Sequence, residues 1–86
     1  MGATPTFQVK ITTPDEVAWE GKAVSVSSQN STGPFDLLPG HANFVTLINK
    51  DAPIVVRDEE NKERSYTYTT AIISVRDGVV TVYTEI

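Results

Sequence analysis

The chain of 86 residues contains no cysteine, one histidine, and no apolar run approaching the ~18 residues that cross a bilayer as a helix. The first absence excludes disulfide staples, thiolate nucleophiles and cysteine-based zinc sites together. The second leaves no spaced set of ligands with which to build a metal centre, and no metal is expected. Basic residues are in deficit as well: seven Lys plus Arg against eleven Asp plus Glu give a net charge of −4, the wrong sign for gripping a phosphate backbone. Nucleic acid is therefore not expected as a partner. Met1 to Thr6 lacks the charged start and apolar stretch of a secretory leader, so a soluble, cytosolic chain is the default expectation. A chain this short has room for one domain and one core, and a deep catalytic cavity is not expected.

What is plentiful is strand-forming chemistry. Eleven Val, six Ile, eleven Thr and seven aromatics make up 35 of the 86 residues, whereas Ala and Leu together supply nine. Phe7, Val9 and Ile11 alternate with Gln8 and Lys10, Val17 and Trp19 resume the pattern after Pro14, and Gly21 is expected to end that strand. Val24 and Val26 alternate with serines before the Ser28 to Pro34 stretch, which reads as a loop. Pro39-Gly40 suits the centre of a type II turn, and Phe44 to Ile48 reads as a strand buried on both faces. The charged run Asp58 to Glu63 reads as a solvated hairpin loop. Asp77-Gly78 predicts a two-residue type I′ turn, which sets Arg76 against Val79 and Val75 against Val80 and places Ile73, Val75, Val80 and Val82 on one buried side. No helical periodicity is sustained, so about eight short strands predict an all-β sandwich or barrel.

Few residues suggest chemistry of their own. A catalytic triad would need His41 to meet Asp36 and a serine, but no nucleophile elbow is present and no catalytic residue is expected. Gly33-Pro34 and Pro39-Gly40 lack the successive glycines, lysine and following helix of a phosphate loop, and no cofactor is expected. Met1-Gly2-Ala3-Thr4-Pro5-Thr6 fits the N-myristoylation pattern, and Asn30-Ser31-Thr32 fits a glycan acceptor that has no consequence without secretion. Trp19, Tyr66, Tyr68 and Tyr83 would make a stacking platform if they shared one exposed face, which is the basis of an alternative reading as a stand-alone carbohydrate- or peptide-binding module.

The segment Gly33-Pro34-Phe35-Asp36-Leu37-Leu38-Pro39-Gly40-His41-Ala42 resembles the signature of the N-terminal domain of the rotary ATP synthase epsilon subunit. Val9-Lys10-Ile11-Thr12-Thr13-Pro14 with Trp19-Glu20-Gly21 resembles that family's opening, and Ala71 to Val75 with Val80 to Tyr83 its closing hairpin. The likeness runs in order from Phe7 to Tyr83. It implies a two-sheet antiparallel β-sandwich spanning 7–86, preceded by a flexible extension over 1–6. It also implies a non-catalytic central-stalk rotor subunit that couples the gamma subunit to the membrane c-ring. Such a subunit is peripheral, on the cytoplasmic side of the inner membrane within the synthase, with no direct membrane insertion. The resemblance places Thr32, Gly33, Pro34, Phe35 and Asp36 toward the polar loops of the c-ring, and His41 and Thr46 toward gamma.

The chain departs from the family pattern at three points. Asn43 stands where proline is usual, Thr69-Thr70 where a glycine pair is common, and Asp36 where glycine is frequent. Family members usually continue into a helical hairpin that can brake ATP hydrolysis and sometimes binds ATP. With the sequence closing at Ile86, no nucleotide binding and no helix-driven inhibition are expected of this polypeptide.

Overall fold

The computed structural model describes residues 4–85. The alternating segments become eight strands, with no helix among the described residues. They are β1 (Phe7–Thr12), β2 (Val17–Asn30), β3 (Gly33–Leu37), β4 (Phe44–Leu47), β5 (Pro53–Asp58), β6 (Glu63–Thr67), β7 (Ala71–Arg76) and β8 (Val79–Thr84). The all-β expectation holds. Residues 1–3 of the expected extension, with its acylation pattern, and residue 86 lie outside the described residues.

The hydrogen-bonded order is β4-β7-β8-β1-β2-β5-β6, with β3 also on β2. The long strand β2 makes this possible by serving both layers. It pairs with β1 from Val17 to Ala23, with β5 around Ser25 to Ser27, and with β3 from Val26 to Asn30. One layer is therefore β4-β7-β8-β1 with the first half of β2, and the other is β3, the second half of β2, β5 and β6. Fully buried side chains from both layers belong to one core: Val9, Ile11, Ile73, Val80 and Val82 from the first, Val26, Leu37, Ile54 and Val56 from the second. Apolar inner faces of two sheets stack about 10 Å apart, which gives the molecule its short dimension of 22 Å against 41 Å in length.

The β7–β8 hairpin has the predicted register, Arg76↔Val79 through Ile73↔Val82, with Asp77 and Gly78 at φ 51° and 81°. The Leu38–His41 turn is also as predicted: Gly40 has φ 87°, and the His41 N–H donates to the Leu38 carbonyl at 3.1 Å.

Five expectations are corrected. Gly21 does not end a strand; β2 runs through it, paired with Val9 of β1, and the Trp19 ring lies over the position, where a Cβ would sit 2.9 Å from Cζ2 of Trp19. Val24 and Val26 do not share a buried face, since a register shift between Ala23 and Ser25 changes the parity and buries Ala23 and Val26 instead. The Ser28 to Pro34 loop is a tight hairpin whose bend is Ser31-Thr32, with strand on both sides. Phe44 to Leu47 is not buried on both faces: β4 is an edge strand and turns Val45 and Leu47 to solvent. The sandwich is not wholly antiparallel, because β1 and β8 pair in parallel from Gln8↔Val79 to Thr12↔Tyr83. A parallel neighbour needs a long connection, and here that connection is most of the chain.

Candidate docking surface

The two outer faces differ in chemistry. Across the first layer, the register aligns Leu47, Ile72, Tyr83, Thr12 and Val17 in one row over five strands. Leu47, Tyr83 and Val17 are 64%, 45% and 46% exposed, and Val45, on the next row, is 69% exposed. The corresponding rows of the second layer are polar apart from Val55: Asp36, Ser27, Val55 and Ser65, then Ser25, Arg57 and Glu63, where Arg57 and Glu63 form an ion pair. One face is thus dressed for water and the other carries an apolar stripe.

The residues expected to face the c-ring lie on the β2–β3 hairpin. Asn30 folds it, its Oδ1 accepting the Thr32 N–H at 2.9 Å, while Gly33 takes φ 127°, where a Cβ is disfavoured. Pro34 and Asp36 are exposed on the polar face, and the Asp36 carboxylate accepts a 2.5 Å hydrogen bond from the Ser27 hydroxyl. Phe35 points the other way and meets Phe44 edge to face, with ring centroids 5.8 Å apart.

The residues expected to face gamma lie beside this hairpin. His41 is exposed; its Nδ1 is 2.7 Å from the Ala42 carbonyl, which fixes the proton there, and its ring is 5.4 Å from Phe44. Thr46 is half-buried and its Oγ1 accepts from Nδ2 of Asn30 at 3.0 Å. Asn49 adds two bonds to the same corner, Nδ2 to the Asn30 carbonyl and N–H to the Gln29 carbonyl. The rings Phe35, Phe44 and His41 and the Asn30–Thr46 bond therefore join the two candidate sets into one closed side of the sandwich. Among the described residues the Asp36 carboxylate is bonded by Ser27 and the His41 ring by the Ala42 carbonyl, not by one another.

The opposite side is closed by residues whose role sequence reasoning missed. Asp58, read as part of a solvated loop, is 4% exposed and faces inward. Its Oδ1 accepts the Glu60 and Lys62 amides at 2.9 and 3.0 Å, and its Oδ2 lies 3.4 Å from Nε of Arg64. Burial pushes the carboxyl pKa up, but the Lys62 and Glu60 amides and the Arg64 charge together outweigh it, so the group sits below its ordinary 3.8. The Arg64 guanidinium in turn lies 5.5 Å over the Trp19 ring. The available signal was the place of Asp58 at the first position of a turn containing Asn61, where an aspartate bonds the amides ahead of it.

The aromatic platform does not assemble. Trp19, Tyr66 and Tyr68 pack against the core, and Tyr83 stands on the outer apolar row. Burial raises the Tyr68 phenol above its ordinary 10.0, with Tyr66, Glu85 and Glu16 adding to the effect.

Asn43, where the resembling family has proline, has a structural use: its Oδ1 accepts the Asp77 N–H at 2.9 Å and anchors the β7–β8 turn to the start of β4.

Comparison with known proteins agrees with this architecture. An ATP synthase epsilon chain of Clostridium perfringens is 35% identical over 77 residues, 87% of this chain and 56% of the relative. The chain thus spans little more than half the length of that relative. Two solved assemblies share the fold. The Euglena gracilis mitochondrial ATP synthase structure with OSCP, F1 and c-ring has TM-score 0.84 at 21% identity, over 98% of this chain and 53% of the matched one. The Tetrahymena thermophila mitochondrial ATP synthase central stalk and c-ring structure has TM-score 0.75 at 12% identity, over 90% and 61%. Residues 6–86 match the family described as ATP synthase, Delta/Epsilon chain, beta-sandwich domain, and the chain belongs to that family.

Proposed function

We propose that this chain acts as the sandwich part of a non-catalytic rotor subunit, linking gamma to the c-ring of a rotary ATP synthase during ion-driven ATP synthesis. The observation that carries the reading is the family match across residues 6–86. The geometry supports its finer parts. The apolar row from Leu47 to Val17 is the surface we assign to gamma, together with His41 and Thr46 at its edge. The β2–β3 hairpin, Thr32 to Asp36, is the element we assign to the polar ring loops, since its exposed side carries a carboxylate and hydroxyls. Two sheets sharing one dry core deform little under load, and torque needs stiffness rather than an active site. In this reading the chain is peripheral, on the cytoplasmic face of the inner membrane, and binds neither cofactor nor nucleotide.

The test is reconstitution. Mixing the chain with its cognate gamma subunit at micromolar concentration should give a complex on size exclusion, and Tyr83→Glu with Val17→Glu should abolish it without changing the melt. Failure of the wild-type chain to bind gamma would remove the reading. Retention of gamma by the double variant would move the contact away from the apolar row.

A further inference from the structure

The seven basic side chains of the chain stand in different environments. Arg57 and Arg64 are held in ion pairs on the second layer, and Lys50 and Lys62 lie in connections between strands. The other three, Lys10, Lys22 and Arg76, lie on the outer face of the first layer, and none of them is in an ion pair among the described residues. Register places them. Arg76, Val79, Gln8 and Lys22 form one row across β7, β8, β1 and β2, and Lys10 lies one row nearer the apolar stripe, with Glu20 opposite it. Of the six exposed large hydrophobics among the described residues, all but Leu38 are on this face too, so the cations and the apolar area belong to one surface. In a chain of net charge −4, cations are not needed for solubility; fixed on a rigid sheet beside apolar side chains, they suit anionic groups of a partner.

The other margin of the stripe has different chemistry. β1 ends there in a turn closed by the Thr13 N–H on the Glu16 carbonyl at 2.8 Å. An open hollow of about 330 Å³ lies between that turn and the Tyr83 ring, lined by Thr12, Thr13, Pro14, Tyr83 and Thr84. Its walls are methyl groups, a proline ring and an aromatic ring, and it has room for a large apolar side chain. Asp15 and Glu16 follow Pro14 directly and are exposed. From Tyr83 to Val79, in the row of Arg76 and Lys22, is four residues along β8, about 13 Å at the rise of a strand.

We infer that the gamma segment seated on this face has two unlike ends: an apolar side chain that enters the hollow beside Tyr83, and carboxylates that lie about 13 Å away over Lys22, Arg76 and Lys10. The inference rests on the reading that gamma docks here, and it adds the direction in which gamma lies. Turned end for end, the same segment would set its carboxylates against Asp15 and Glu16 and leave the three cations unmatched. The stripe supplies contact area that is indifferent to direction. The charges at its margins choose between the two.

The test is the affinity for the cognate gamma subunit, measured at low salt and at about 0.15 M, where charges lying off the face are screened. Lys22→Glu with Arg76→Glu should weaken binding by about tenfold or more, and added salt should weaken the wild-type complex but strengthen that of the variant. Lys50→Glu with Lys62→Glu makes the same change in net charge away from the face, and at the higher salt it should bind as the wild type does. Glu16→Lys should stay within about twofold of the wild type, because the hollow's occupant is uncharged. All five positions are exposed, so every variant should keep the wild-type melt. A wild-type chain that does not bind gamma overturns the docking reading and this inference together. Equal binding by the wild type and the Lys22 and Arg76 double variant overturns this inference alone. Tighter binding by Glu16→Lys would put the carboxylates at the hollow and overturn the direction. If that double variant binds gamma normally but loses a binding to phosphatidylserine vesicles that the wild type shows, the cations serve a membrane surface and the inference falls.

Discussion

Asp58 shows how one side chain converts a charged run into a defined turn. Its folded pKa lies below the ordinary value, so ionisation favours the native state, and that contribution is complete above about pH 4 and lost as pH falls through the lowered folded value. Urea midpoints between pH 7 and pH 2.5 should fall steeply for the wild type and less steeply for Asp58→Asn, whose midpoint at pH 7 should already be low. Glu59→Gln and Glu60→Gln, in the same run but exposed, should keep the wild-type profile. Trp19 offers a second test. A methyl at Gly21 must displace the indole held under Arg64, and overpacking of this kind costs about 1–3 kcal/mol. Gly21→Ala should lower the melting temperature and shift the tryptophan emission. The position of Asp58 in the sequence is plain, but its burial is not, because it depends on Ala23 of another strand lying opposite.

At the scale of elements, the hairpins were the most legible part of the chain. Asp77-Gly78 demands two residues at positive φ, which few sequences satisfy, and a two-residue loop leaves no freedom in register. Gly78→Ala places a Cβ in the left-handed region and should cost about 1–2 kcal/mol, read as a lowered denaturation midpoint with an unchanged m-value. Asn43→Ala removes the acceptor for the Asp77 amide and should cost about 0.5–1.5 kcal/mol by the same measurement. The path of β2 was harder to read. A bulge is one extra residue, invisible in composition, and it changes which of Val24 and Val26 is buried. The apolar letters of β4 predicted burial on both faces, but they describe equally well an edge strand with Phe44 and Thr46 turned inward and Val45 and Leu47 exposed.

For the whole molecule, the contrast between neighbouring residues of one core and one surface is the sharpest check of the two-layer arrangement. Val75, 2% exposed at the centre of β7, cannot take a carboxylate: burying an unpaired charge costs several kcal/mol against a domain stability of about 5. Val75→Asp should be unfolded by circular dichroism. Val45→Asp, on the adjacent strand, should melt within about 0.5 kcal/mol of the wild type, as exposed positions do. Asp36→Ala should likewise leave the melt nearly unchanged, losing one surface hydrogen bond, and should weaken assembly if the β2–β3 hairpin meets the ring. The candidate residues themselves were readable only through resemblance. Nothing in the spacing of Thr32 to Asp36 and His41 to Thr46 announces that Asn30 and the rings of Phe35 and Phe44 tie them into one side.

The amino-acid sequence alone determined what is local: strand periodicity, the two glycine turns, the lack of cysteine, and the family. Each rests on neighbours along the chain, where spacing dictates geometry. Only the tertiary structure decided that the first and last strands lie side by side in parallel, that Asp58 is buried, and that Leu47, Ile72, Tyr83 and Val17 line up in one row on an outer face. These depend on which strands become neighbours across most of the chain's length, and that outcome follows from the packing of the core as a whole.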